Sequence, residues 1–96
     1  MKREYRKETR AFKRRVTFVF ENPFAKEVTV AGTFNGWDCQ KDFLRGNGSG
    51  RWSIVNYLVP GIYEYRFVVD GIWTTDPLCS IRRPNVYGGE NCILEV

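Results

Sequence analysis

Alternation of apolar and polar side chains dominates this chain from residue 16 onward. Val16-Thr17-Phe18-Val19-Phe20-Glu21 puts Val16, Phe18 and Phe20 on one side of an extended segment. Asn22-Pro23 breaks it, and Val28-Thr29-Val30-Ala31 forms the next strand, ended by Gly32. Gly36-Trp37-Asp38 reads as a turn, and Phe43-Leu44-Arg45 as a short apolar piece. Gly46-Asn47-Gly48-Ser49-Gly50 is a loop, since its glycines offer no packing surface. Trp52-Ser53-Ile54-Val55-Asn56-Tyr57-Leu58 is a strand, closed by Pro60-Gly61.

The clearest alternation lies in Ile62–Asp70. Tyr63, Tyr65, Phe67 and Val69 face one way, and Glu64, Arg66 and Val68 the other. Asp70-Gly71 is a strong two-residue hairpin signal, after which Ile72-Trp73-Thr74 returns as a short strand. A long irregular stretch runs from Asp76-Pro77 through Pro84-Asn85. Gly88-Gly89 precedes a last strand, Asn91–Val96. About seven short strands with turns between them, and no convincing helix, predict an all-β, immunoglobulin-like antiparallel β-sandwich. Its predicted core is Phe18, Phe20, Val28, Val30, Trp52, Ile54, Tyr65, Phe67, Val69 and Leu94.

With 96 residues the chain has room for one domain. Charge divides it. Residues 1–15 carry eight basic and two acidic side chains, a net +6, whereas the body carries seven basic and nine acidic ones, a net −2. The expected organisation is a basic N-terminal arm over 1–15 and a folded domain over 16–96. The arm reads as a solvated lead-in. Nucleic-acid modules interleave basic groups with aromatics on the folded surface, and here the aromatics sit in a neutral-to-acidic background, so nucleic acid is not the expected partner.

No apolar run approaches the roughly 18 residues that a membrane span needs. The start, Met1-Lys2-Arg3-Glu4-Tyr5-Arg6, continues into charge and does not resemble a secretory signal. The expected compartment is therefore the cytoplasm. There Cys39, Cys79 and Cys92, odd in number and without CxxC spacing, are expected as free thiols.

Catalysis finds little support. There are no histidines, which excludes an imidazole base and the usual triad. Glycoside hydrolysis needs two carboxyl groups facing each other across a cleft. Asp70 and Asp76 are the nearest candidates, but Asp-Gly and Asp-Pro both serve turns. No phosphate loop, dinucleotide fingerprint or metal-ligand cluster is present, so no cofactor or metal is expected.

Binding suits the residues better. Trp37 lies in a turn-rich stretch and Trp73 just past a hairpin, both hard places to bury a large ring. Two indoles at the margin of a sandwich offer platforms for the apolar C–H face of a pyranose. Arg66 and Asn91 then supply hydrogen bonds to hydroxyls. The competing reading buries both tryptophans, in the domain or against a protein partner.

Three ordered blocks carry a resemblance. They are Gly32-Thr33-Phe34-Asn35-Gly36-Trp37, Tyr63 through Pro77, and Asn91-Cys92-Ile93-Leu94-Glu95-Val96. From about Val16 to Val96 the chain resembles carbohydrate-binding module family 48. That family includes the glycogen-binding domain of the AMP-activated protein kinase β subunit and the early-set domains of isoamylases and branching enzymes. The stretch Pro84–Asn91 is similar to free-standing bacterial early-set proteins.

The resemblance implies an early-set β-sandwich that binds an α-1,4-glucan such as glycogen or a maltooligosaccharide, without catalysis. A glycogen-metabolising enzyme or a kinase is the implied protein partner. Trp37 and Trp73 match the family's sugar-stacking tryptophans, and Asn91 its hydroxyl-binding asparagine. Arg66 stands where kinase-type modules carry a lysine, Tyr87 where they carry a leucine, and Gly89 where they carry a threonine. A protein-interaction or regulatory module of the same fold is the alternative function.

Overall fold

The computed structural model describes residues 12–96; the basic arm lies mostly outside them. Among the described residues there are nine strands and one 3-10 turn. Strands β1 (Arg14–Glu21), β4 (Arg45–Gly46) and β5 (Arg51–Leu58) form a three-stranded sheet in the order β1-β5-β4. A six-stranded sheet runs β3 (Asp42–Phe43), β2 (Val28–Gly32), β6 (Ile62–Val69), β9 (Glu90–Glu95), β8 (Arg82–Pro84). In it β7 (Ile72–Thr74) also pairs with β6. All pairings are antiparallel.

The two-residue period determines what meets between the sheets. Phe18 lies opposite Ile54 and Phe20 opposite Trp52 in the small sheet; Val30 lies opposite Phe67 and Val28 opposite Val69 in the large one. Phe18, Phe20, Val28, Val30, Leu44, Tyr65, Phe67, Val69 and Cys92 make the buried core, with Trp52, Ile54 and Leu94 packed partly buried against it. Phe67 is wholly enclosed, and its replacement by Ala would cost roughly 3–5 kcal/mol. Leu44 joins this core from the crossing point where the chain leaves β3 in one sheet and enters β4 in the other.

Several elements differ from the sequence expectation. The apolar piece at 43–45 splits into β3 and β4, too short for any alternation to show. β8 falls inside the stretch read as irregular. It is an exposed edge strand of Arg82, Arg83 and Pro84 that pairs only with β9, a position that tolerates a missing N–H.

The cysteines are also corrected. Cys79 and Cys92 are joined by a disulfide with Cα atoms 6.0 Å apart, and Cys39 is the free thiol. The expectation of three free thiols rested on spacing and compartment; the β7–β8 connection folds back and lays Cys79 against β9, a contact invisible to spacing.

Asp76 serves its turn, as expected, and does more. It is buried, accepts the Tyr65 Oη–H at 2.6 Å and accepts the Leu78 amide at 2.9 Å. Burial, then the hydrogen bond to Asp76, then its charge, push the Tyr65 phenol far above its ordinary value of 10.0. A phenol harder to ionise when folded stabilises the fold fully below the unfolded value. That contribution disappears as pH rises beyond it. Urea titrations from pH 7 to 11 are therefore expected to lose stability above about pH 10. Tyr65→Phe should flatten this alkaline limb and cost about 1–3 kcal/mol at neutral pH. An unchanged alkaline limb in the variant would contradict this assignment.

Candidate functional site

The outer face of the six-stranded sheet carries several polar and aromatic residues that the core does not use. β6 supplies Glu64, Arg66 and Val68 to this face, and its free edge is shared. β9 pairs with Ile62–Tyr65 and β7 pairs with Phe67–Val69. Arg66 falls in the fork between those two partners. Thr75 Oγ1 donates to the Glu90 carbonyl at 2.8 Å and closes the fork.

Trp73 lies across from Val68 on this face. Its strand is only three residues long and is placed by the Asp70-Gly71 turn, where Asp70 has φ 49° and Gly71 φ 83°. Asp70 does more than turn the chain: its Oδ1 accepts the amides of Lys26 at 2.9 Å and Glu27 at 2.8 Å. Trp73 keeps 41% of its surface exposed.

Trp37 is presented differently. β2 ends at Gly32, where an added Cβ would collide with the Glu64 carbonyl and the Phe34 ring. A 3-10 turn over Thr33–Asn35 follows. Then Gly36 (φ 68°) and Trp37 (φ 61°) both adopt the left-handed conformation. For a bulky residue this conformation is strained, at a cost of about 1–3 kcal/mol.

Buried Asn35 holds the turn in place. Its Nδ2 donates to the Val30 carbonyl at 3.0 Å and to Asp42 Oδ2 at 2.7 Å, and its Oδ1 accepts the Gly32 amide at 3.0 Å. The Trp37 amide donates to the Gly32 carbonyl at 2.9 Å.

The two indoles, 36 positions apart in sequence, come together with ring centroids 6.4 Å apart and planes inclined at 46°. Trp37 is half-buried and Trp73 exposed, so the pair forms a bent wall rather than a flat floor. Such a wall presents apolar π-faces to a ligand that curves between successive rings.

Beside it, Arg66 Nη2 lies 3.5 Å from both the Trp73 carbonyl and Thr75 Oγ1. Neither ion pair of the described residues involves Arg66. Its Nε is buried with no partner among the described residues. Gly89 makes room for it, because a Cβ there would sit 3.0–3.2 Å from the guanidinium.

Asn91 also belongs to this face but is not a free donor. It is only 9% exposed. Its Oδ1 accepts from Asn85 Nδ2 at 3.0 Å, and its Nδ2 donates to Glu64 Oε1 at 3.1 Å. Half of its amide capacity remains for a ligand. Tyr87 stands apart on the β8–β9 loop, 91% exposed. Its amide is held by Asn85 Oδ1 at 2.9 Å, and its ring packs on no other aromatic among the described residues.

The structure thus brings Trp37, Trp73 and Arg66 together, ties Asn91 into a network beside them, and leaves Tyr87 at the rim. Sequence reasoning missed Asn35, Glu64 and Asn85. Asn35 carried a weak signal, as the polar residue of a Phe-Asn-Gly-Trp turn. Glu64 was visible only as an outward position, and Asn85 only as part of an irregular stretch. The site is open: the surface hollows lined by Phe43 and Val55, and by Pro23 and Trp52, include none of these residues.

Comparison with known proteins places this face in context. Residues 14–96 match the family described as the glycogen recognition site of AMP-activated protein kinase. The chain is 42% identical over 83 residues to FLOURY ENDOSPERM 6, a chloroplastic protein of Oryza sativa subsp. japonica, covering 86% of this chain and 15% of that protein. It is 42% identical over 72 residues to the chloroplastic PTST homolog 2 of Arabidopsis thaliana, covering 73% and 13%.

A third relative is the Arabidopsis SNF1-related protein kinase regulatory subunit beta-2, 37% identical over 59 residues, covering 60% and 19%. The chain therefore spans less than a fifth of these relatives' lengths. The cytoplasmic expectation is corrected by the same comparison, since the rice protein and the PTST homolog are both chloroplastic.

Proposed function

This chain belongs to the family of glycogen recognition sites found in AMP-activated protein kinase, and from that premise we propose that its outer sheet face binds an α-1,4-glucan, without catalysis, as glycogen or starch chains. The observation that carries the reading is the inclined indole pair, 6.4 Å apart at 46°, beside a guanidinium that has no carboxylate partner among the described residues. Trp37 and Trp73 stack on consecutive sugar rings of a curving chain. Arg66 donates to ring hydroxyls, the spare N–H of Asn91 adds another contact, and Tyr87 offers a further surface at the rim.

The carboxylates support a non-catalytic role. Asp76 is buried against Tyr65, and Asp70 is committed to two backbone amides, so neither serves as acid or nucleophile. An open face leaves much of the ligand hydrated, and the affinity per site is expected in the roughly micromolar-to-millimolar range. Retention then comes from avidity on a polymer. The binding domain takes in β1 from Arg14 onward and the basic segment before it is a tether, with a glucan-metabolising enzyme or kinase as the protein partner.

Sedimentation with glycogen or amylose tests the reading. The protein is expected to co-sediment, to be released by soluble maltooligosaccharide, and to liberate no reducing ends. Removal of residues 1–11 should leave retention unchanged. Failure of the intact protein to co-sediment with either polymer would sink the proposal.

A further inference from the structure

Asn91 sits in a hydrogen-bonded chain whose direction is set from one end. Arg83 Nη1 donates to Glu64 Oε2 at 3.0 Å, and Asn91 Nδ2 donates to Glu64 Oε1 at 3.1 Å. Asn85 Nδ2 donates to Asn91 Oδ1 at 3.0 Å. Asn85 Oδ1 then accepts the amides of Tyr87 at 2.9 Å and Gly89 at 3.2 Å. The loop is closed by the Asn85 amide donating to the Gly89 carbonyl at 2.9 Å.

An ionised carboxylate only accepts, whereas an asparagine amide both donates and accepts. Glu64 therefore compels Asn91 to turn its NH2 inward. That leaves the Asn91 oxygen for the Asn85 NH2, and the Asn85 oxygen for the loop amides. Each orientation forces the next, and the last step holds Gly89 where its missing side chain leaves space for the Arg66 guanidinium. The backbone of Glu64 also serves the other half of the site. Its amide donates to Thr33 Oγ1 at 3.1 Å, on the turn that presents Trp37.

We propose that Glu64 is a positioning residue: through Asn91 and Asn85 it sets the conformation of the 85–89 loop and, with it, the placement of Arg66 and Asn91 for ligand. The inference rests on the glucan reading for its consequence, but its structural half can be read without ligand.

The test combines maltoheptaose titration with amide exchange measured by NMR, on intact wild type, Glu64→Ala, Glu64→Gln, Asn85→Ala and the double alanine variant. Glu64→Ala and Asn85→Ala are each expected to weaken binding about fivefold. The double variant should be little worse than either single one, because both break the same relay. Glu64→Gln keeps one acceptor oxygen but sets an NH2 donor where the other accepted, so it no longer compels the Asn91 orientation and should weaken binding by an amount between wild type and Glu64→Ala. Exchange of the Tyr87 and Gly89 amides should quicken by about tenfold in Glu64→Ala and by a smaller factor in Glu64→Gln.

Wild-type affinity in Glu64→Ala, in a protein that still needs Trp73 for binding, would overturn the proposal. So would unchanged exchange at Tyr87 and Gly89. Absence of maltoheptaose binding by wild type would overturn the glucan reading instead, and the exchange result alone would then decide whether the relay governs the loop.

Discussion

Alanine at position 37 or 73 is expected to abolish retention on glycogen while the domain stays folded. Each indole supplies one of the two apolar faces, and loss of a central aromatic anchor typically costs 2 kcal/mol or more, roughly 30-fold in affinity. A site that starts in the micromolar-to-millimolar range then falls below what co-sedimentation detects. Folding should be little affected at position 73, where the ring is 41% exposed on a three-residue edge strand. At position 37 the alanine keeps a Cβ in the left-handed conformation that Trp37 already occupies at φ 61°, so no backbone change is forced.

Trp52 behaves differently. Its Nε1 donates to the Asn22 carbonyl at 3.1 Å and its ring packs on the core, so Trp52→Ala should lower the melting temperature. Undiminished retention in folded Trp37→Ala and Trp73→Ala proteins would remove the platform from the account.

The largest expected effect on stability is at the disulfide. Cys79 and Cys92 lie 13 residues apart, and a cross-link closing a loop of that size stabilises by about 3 kcal/mol in the chain-entropy account. For a domain of this length that corresponds to a fall in melting temperature on the order of 15 °C upon reduction. The loss is local in origin. The bond fastens the connection between β7 and β8 to β9, and that connection otherwise relies on Asp76, on the Thr75–Glu90 bond and on the Ile93 amide bonded to the Ile81 carbonyl at 2.9 Å. Calorimetry with and without a dithiol, alongside a thiol count, measures it. A melting temperature unmoved by verified reduction would show that the bond adds nothing to the fold.

What the residues alone revealed divides along physical lines. Strands β1, β2, β5, β6 and β9 were legible because period-two alternation is a local property, and the core followed from it. The hairpin at Asp70-Gly71 was legible because the turn dictates its own residue types. The marginal positions of Trp37 and Trp73 were legible from the turns around them, and their matching to one sugar site came from resemblance, not from periodicity.

The remainder depends on register between distant segments. Nothing within 62–69 reveals that β7 and β9 divide one edge of β6 and leave Arg66 in the fork. The pairing of Glu64 with Asn91 and the meeting of Cys79 with Cys92 are equally non-local. Asn91, read as a hydroxyl ligand, is half committed to the protein, which only the neighbouring strands disclose. Left-handed backbone at Trp37 is hidden too, since a bulky aromatic is the wrong residue to announce it.

A maltoheptaose titration followed in the NMR spectrum tests the platform most directly. The indole Nε1–H signals of Trp37 and Trp73 and the Arg66 guanidinium signal should move together with one binding curve, while the Trp52 indole stays fixed. Movement of Trp52 alone, or no movement of the Trp37 and Trp73 signals at saturating ligand, would contradict the account.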